Sequence, residues 1–408
     1  MLDEKTIQIV QSTAPVIKEH SAEIGKRFYS LLFSKAPDLY NLFNQTNQKR
    51  GIQQEALGYS VYAAGEHITN LEVLTPVIKR ITEKHRAIGV VAEQYPVVGE
   101  TLLEAVKDVL GEAATDEILE AWGKAYGYIA DAFINIEKEL YEEVKNAPGG
   151  WEGFRSFTID KKEKESNSVT SYYLKPTDGG EIISYEPGQY LTVWATIPGE
   201  KYKHIRHYSL SEAPEKDYYR ISVKQEGGHG ENPEGIVSNY LSDDLNVGDK
   251  LDFSAPAGDF VLDKSSAPVV LISGGIGVTP LMSMLNTIVE NGTNRHVTFI
   301  HATANSEEHA FKEHVKHLKN THDNVQSYVV YESPTEADRQ AENFDKEGYI
   351  DLAFFKQVVS DKDESQFYFC GPLPFMEAIN KALIEWDVPT EHIHFEVFNP
   401  VAILGESD

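Results

Sequence analysis

A single cysteine, Cys370, is all that the 408-residue chain contains, so neither an intramolecular disulfide nor a metal cage of cysteines can be built. Any metal must be held by other ligands. Positive charge is also scarce. The 37 Lys and Arg residues face 64 Asp and Glu, a formal charge of −27, and a phosphate backbone would meet a repulsive field. Nucleic acid is therefore not an expected partner. Ser265 to Val289 is uncharged over the length of a membrane span, but Ser273-Gly274-Gly275-Ile276-Gly277-Val278-Thr279-Pro280 divides it. It reads as buried strand, glycine turn and helix, so no transmembrane segment is expected. The opening Met1-Leu2-Asp3-Glu4-Lys5 mixes both charge signs, unlike a secretory signal, which points to the cytoplasm. With 41% apolar and 25% charged residues, the composition is that of a globular protein, long enough for two to four domains. No internal repeat or low-complexity tract is visible.

Three textures follow one another. Residues 1–146 lack strand-like alternation and carry apolar stripes at helical spacing, three of them with polar intruders. Ile78, Ile81, His85 and Ile88 place an imidazole on an apolar face. Tyr95, Val98, Leu102 and Val106 form a second stripe. Trp122, Tyr126, Ile129, Phe133 and Glu137 point a carboxylate inward, where it needs a partner or a raised pKa. A fourth stripe, Gln53, Leu57, Val61 and Ala64, turns Gln53 and Leu57 toward the same interior. This predicts an all-α domain with polar chemistry inside. Asn146-Ala147-Pro148-Gly149-Gly150 then acts as a linker.

Residues 151–263 are β in texture, with strands expected at 154–160, 169–175, 189–196, 219–224 and 250–254 and a small antiparallel barrel as the natural architecture. From 264 to 408, strands expected at 268–272, 296–301, 325–331, 366–370 and 393–398 alternate with helical stretches. That pattern predicts a doubly wound α/β domain with a parallel sheet.

Gly275-x-Gly277-x-x-Pro280 follows a strand and opens a helix, with Thr279 expected as N-cap and Pro280 at the first helical position. Glycines there let the backbone approach a pyrophosphate, and the helix N-terminus supplies amides and partial positive charge. In the barrel, Pro187-Gly188-Gln189-Tyr190 precedes Arg206-His207-Tyr208-Ser209, and Gly235-Ile236-Val237-Ser238 begins a short helix. An Arg can pair with phosphate, a Tyr can stack on a flat ring and a Ser can bond a ring nitrogen. These motifs, with Cys370-Gly371-Pro372 after them, resemble in kind and order the ferredoxin-NADP reductase superfamily. The resemblance implies that Tyr190, Arg206, His207, Tyr208 and Ser209 contact FAD, together with Val397, Phe398, Asn399 and Pro400. It assigns Gly274, Gly275, Ile276, Gly277, Val278 and Thr279 to NAD(P)H. The C-terminal segment Glu396-Val397-Phe398-Asn399-Pro400 departs from the family's Glu-Cys-Phe-Gly-Pro. Cys370 is either a small buried residue at a strand end, a neighbour of the nicotinamide, or both.

The helical region extends the resemblance to the bacterial flavohaemoglobins along the whole chain. Tyr29, Pro37, Phe43, Gln53, Leu57 and His85 carry it, with 121–127 (AWGKAYG) and 133–135 (FIN). It implies a globin fold holding haem b, with His85 as proximal iron ligand and Phe43 packed on the porphyrin. Tyr29, Gln53 and Leu57 would then be the distal residues. A phenol and an amide on that side can hydrogen-bond charge developing on a bound ligand. A ligating His usually gives its second ring N–H to a carboxylate, and Glu137 with Tyr95 fits that part. Lys84 and Glu396 would tune the haem–flavin relay, unless Lys84 is simply a solvated helix residue.

The activity implied is a nitric oxide dioxygenase acting on NO, O₂ and NAD(P)H, as a monomer. A dioxygen-storing or sensing globin and a flavin-centred reductase of other acceptors remain as alternatives. His309, His314, His317 and His322 are expected on a solvated helix face and 333–341 in a surface loop.

Overall fold

The computed structural model describes residues 2–45, 48, 51–228 and 234–398. It comprises two compact units: Met1–Phe154 with Thr192–Arg206, and Arg155–Leu191 with His207–Asp408.

The first unit is built on six helices: α1 (Glu4–Glu19), α2 (Ser21–Lys35), α3 (Ile52–Glu66), α4 (Thr75–Ile88), α5 (Tyr95–Leu110) and α6 (Asp116–Asn146). Local chemistry starts and stops them. The Asp3 carboxylate accepts the Thr6 amide at 2.9 Å to cap α1, and Thr115 Oγ1 accepts the Ile118 amide at 3.3 Å ahead of two acidic residues on α6. Helix α4 ends at Gly89, whose φ of +83° is a left-handed conformation that a side chain resists. A tight turn over Pro37–Leu42 follows α2. Val10, Ile17, Phe28, Leu102, Ala105, Trp122 and Ala125 form the buried centre. Each lies on a helical stripe, which is why the spacing was readable.

The β region holds β1 (Phe154–Lys164), β2 (Val169–Pro176), β3 (Tyr190–Ala195), β4 (His204–Ser209), β5 (Tyr219–Lys224) and β6 (Lys250–Ser254), in the order β4-β3-β6-β1-β2-β5. An antiparallel bridge from Leu210 to Ile221 brings the two ends of this order together, the closure expected of a small barrel. Strand β4 was not among the expected strands. His204-Ile205-Arg206-His207-Tyr208-Ser209 shows no apolar alternation, and only its neighbours make it a strand. The short helix α7 (Ile236–Asn239) lies where the Gly235 motif placed it.

In the nucleotide-binding region β7 (Val269–Gly274), α8 (Val278–Glu290), β8 (Val297–Thr303), α9 (Lys312–Thr321), β9 (Val325–Tyr331), α10 (Glu336–Ala341) and β10 (Lys346–Glu347) come first. Then follow α11 (Leu352–Val358), β11 (Gln366–Cys370), α12 (Leu373–Glu385) and β12 (Ile393–Glu396). The strands pair in parallel in the order β10-β9-β8-β7-β11-β12. Separate apolar clusters cover the two faces of this sheet, as a doubly wound arrangement requires.

Three local expectations need correcting. Helix α8 begins at Val278, so Thr279 lies inside the first turn and is not the N-cap, and Pro280 is the third helical residue instead of the first; the Thr279 hydroxyl donates to Ile276 O at 3.1 Å. Part of 333–341 is the helix α10, capped by Thr335, whose Oγ1 accepts the Asp338 amide at 3.1 Å. His309 is buried, with Nδ1 2.9 Å from Tyr331 Oη, instead of lying on a solvated face. Glu307 and Glu308 before it masked its burial, although the apolar Ala310 and Phe311 that follow are buried with it. Among the described residues, no helix is long and apolar enough to cross a membrane.

Candidate functional site

Helices α4, α5 and α6 bring together the three polar intruders of the helical region. His85 Nδ1 lies 2.7 Å from Glu137 Oε1 and 3.2 Å from Tyr95 Oη, while Tyr95 donates to the same carboxylate oxygen at 2.7 Å. Glu137 is 3% exposed, so its inward position is offset by two donors. Burial, reinforced by the adjacent Glu137 carboxylate, pushes the Tyr95 phenol up, keeping it a proton donor. Two tyrosines not expected to be site residues support this group. Tyr126 Oη donates to Tyr95 O at 2.7 Å, and Tyr141 Oη donates to Val90 O at 2.8 Å just beyond α4. Tyr126 belongs to the Glu137 stripe, which was the available signal.

The His85 side chain remains 31% exposed with Nδ1 engaged, so Nε2 is left for a ligand on the open side. Among the described residues, no three His, Cys, Asp or Glu side chains gather as a metal cage. One imidazole backed by a carboxylate suits an iron whose equatorial ligands come from a macrocycle.

Tyr29 is buried among Phe28, Phe33 and Phe43, at ring separations of 4.9, 5.7 and 5.4 Å. Burial raises its phenol, so it remains protonated. Among the described residues, Gln53 Oε1 is buried with no hydrogen-bond partner, an orphaned acceptor suited to a polar ligand or water. Leu57 packs against the helical core. Gln48, missed by the sequence reading, is also buried and accepts from Gln54 Nε2 at 3.0 Å. Lys84, half-buried beside His85, stays a tuning proposal.

A second site lies where the strand order reverses between β7 and β11, the place at which doubly wound sheets take ligands. Gly274 and Gly277 meet the Cys370-Gly371 turn there, while Gly275, at a φ of +52°, has open space where a Cβ would stand. A Cβ added at Gly277 would lie 2.2 Å from Cys370 O, and one added at Gly274 would lie 2.9 Å from the Phe375 ring. Gly274 and Gly277 thus serve close packing of the turn, and the open space at Gly275, beside the start of α8, is what a pyrophosphate would use. Val278 and Thr279 are buried and Ile276 packs on the core, so these three would meet a dinucleotide through main chain only. Burial pushes the Cys370 thiol well up, and the Glu396 carboxylate adds to the shift. Glu396 stands in register with Cys370 across β11 and β12.

Strand alternation puts Arg206 and Tyr208 on one face of β4 and His207 and Ser209 on the other. The Tyr190 and His207 rings lie 4.8 Å apart. Tyr190 and Ser209 are buried, whereas His207 is exposed. Val397 packs against the nucleotide-region core and Phe398 is 51% exposed. Asn399 and Pro400 lie outside the described residues.

Three family models match in the order of the regions: Globin over residues 26–133, Oxidoreductase FAD-binding domain over 156–262 and Oxidoreductase NAD-binding domain over 271–381. A flavohemoprotein of Bacillus thuringiensis is 55% identical over 405 residues, covering 99% of this chain and 100% of its own. The crystal structure of the flavohemoglobin of Malassezia yamatoensis, with bound FAD and heme, aligns with TM-score 0.84 at 26% identity over 97% of this chain and 99% of that one. The flavohem-like FAD/NAD-binding domain of a nitric oxide dioxygenase from Vibrio cholerae is 37% identical, with TM-score 0.55, over 60% of this chain and 98% of that one. The His85-centred pocket, the β4 motif and the glycine crevice fit haem, FAD and NAD(P)H in that order along the sequence, and the chain belongs to the flavohemoproteins.

Proposed function

We propose that this chain is a nitric oxide dioxygenase, monomeric and cytoplasmic, in which residues 1–146, 151–263 and 264–408 bind haem b, FAD and NAD(P)H. The overall reaction oxidises nitric oxide to nitrate with dioxygen, the one electron needed per nitric oxide coming from NAD(P)H. When bound, haem and flavin supply the oxygen and electron-transfer chemistry. The protein contributes position, proton donors and basicity. His85 would hold the iron through Nε2, and its contact with Glu137 fixes the ring tautomer and raises the basicity of the ligand. Tyr29 and Gln53 would offer a phenol and an amide to a ligand bound at the haem, and Leu57 and Phe43, packed on the same core, would limit water there. Gly274 to Thr279 would hold the dinucleotide by backbone amides, with Tyr190 and 206–209 on the flavin.

The observation that carries this reading is the His85–Tyr95–Glu137 triad. Simple reversible dioxygen storage needs no carboxylate-backed ligand, whereas an oxidising site gains from electron density pushed onto iron. Consumption of nitric oxide by the NADH-reduced protein under air tests it. Wild-type protein should consume it far faster than free haem, and His85→Ala should lose the haem Soret band and this activity while NADH still bleaches the flavin. Consumption no faster than free haem, or full activity in His85→Ala, overturns the proposal.

A further inference from the structure

Glu212 lies three residues beyond Ser209, the last residue of the flavin-binding strand, and four side chains, two of them more than seventy residues away, converge on it. Its main-chain oxygen accepts from Ser283 Oγ at 2.6 Å and from Tyr185 Oη at 2.5 Å. Oε1 accepts from Asn286 Nδ2 at 2.8 Å, and Oε2 pairs with Arg220 Nη1 at 3.1 Å. Ser283 and Asn286 are 0% and 4% exposed and sit three residues apart on one face of α8. The rest of that helix packs Leu281, Met282, Met284 and Leu285 into the core. Two polar side chains in such a setting are costly unless both are satisfied, and Glu212 satisfies both.

The arrangement is held from behind. Arg220, 6% exposed, donates Nη2 to Ser211 O and Nε to Ser211 Oγ at 3.2 Å, locking the main chain next to Glu212. Its guanidinium also lies over the Phe311 ring at 5.2 Å. His314 Nε2 lies 2.7 Å from Asn286 Oδ1, which turns the amide so that Nδ2 faces Glu212. Helix α8 opens directly from the glycine turn Gly275–Gly277, so a restraint on its second and third turns is a restraint on that turn.

We propose that Glu212 is a positioning residue for hydride transfer, tying the end of the flavin-binding strand to the dinucleotide-binding helix and so fixing the distance between the two cofactors. This rests on the reading above, that NAD(P)H reduces the flavin. In that step a hydride, one proton with two electrons, leaves C4 of the reduced nicotinamide, which becomes the oxidised pyridinium, and bonds to the flavin ring. Such a transfer needs the reacting atoms at roughly 3–3.5 Å, and a misplacement near 1 Å costs up to about a hundredfold in rate.

The test is anaerobic stopped-flow bleaching of flavin in full-length holoprotein by NADH and by NADH deuterated at the transferring C4 position. Wild type is compared with Glu212→Gln and with the milder Ser283→Ala, which removes one hydrogen bond and leaves the Arg220 pair intact. Both variants should lower the limiting reduction rate, by about tenfold in Glu212→Gln, with the dissociation constant for NADH changed less than about twofold. The isotope effect should become more temperature-dependent, and amides of 278–290 should exchange hydrogen faster at unchanged flavin content. A rate per bound flavin and an isotope effect equal to wild type in both variants overturn the proposal, even where flavin content and Tm fall, because the network is then only structural. If wild-type flavin is not reduced by NADH or NADPH, the underlying reading fails, and this proposal with it.

Discussion

One oxygen atom organises the residue scale. Glu137 Oε1 takes hydrogen bonds from both His85 and Tyr95, so the charge behind the imidazole is concentrated and shielded. Replacing Glu137 by Gln keeps the shape and a possible acceptor but removes the charge. The holoprotein should still bind haem, the iron–histidine stretching frequency of the reduced form should fall, and nitric oxide consumption should drop by about tenfold or more. Tyr95→Phe should move both readouts in the same direction by less, because the His85–Glu137 contact at 2.7 Å remains. Resonance Raman spectroscopy beside the activity assay checks both variants; an unchanged frequency in Glu137→Gln would remove the carboxylate from the mechanism.

At the scale of elements, the strand-turn-helix β7–α8, proposed above as the dinucleotide site, offers a ligand main chain more than side chain. The carbonyl of Cys370, at the end of β11, occupies the space that a side chain at Gly277 would take. Gly277→Ala should therefore force β7 and β11 apart, destabilising this region by about 1–3 kcal/mol. It should also raise the dissociation constant for NADH well above wild type, read by titration and by thermal unfolding with and without ligand. Haem absorbance should be unaffected. Strand β4 makes the converse point. Its residues advertise flavin chemistry but not a strand, since the extended conformation comes from pairing inside the barrel.

The whole chain carries a formal charge of −27, and its nucleotide-binding region hides a pair of imidazoles. His301 and His309 rings lie 4.8 Å apart and both are buried. Burial pushes His301 down to about 4, and His309 moves in the same direction, with the neighbouring His301 adding to the effect. In the unfolded chain both titrate near about 6.5, so between that pH and 4 the unfolded state binds more protons. Stability then rises with pH through this window and is lost as pH falls. His301 alone should contribute a loss of roughly 3 kcal/mol by pH 4. Denaturant unfolding followed by flavin fluorescence between pH 7 and 5 checks this. His301→Gln should flatten the slope, and an unaltered slope would refute the assignment.

Stripe spacing was enough to identify the helices and to mark His85, Tyr95 and Glu137 as polar residues facing inward, because helical period and burial are local and additive. The glycine turn was legible for the same reason: a strand, two glycines and a helix lie within a dozen consecutive residues. Contacts between distant segments were not legible. Only the tertiary structure decided that three intruders on three helices share one carboxylate oxygen. It also showed that the sequence HIRHYS is a strand, that His309 is buried despite charged neighbours, and that Glu212 meets Ser283 and Asn286 more than seventy residues away. A hydrogen bond between remote residues leaves no periodic mark in either segment. It exists because the packing of apolar faces brings both ends into a dry place where neither can remain unpaired.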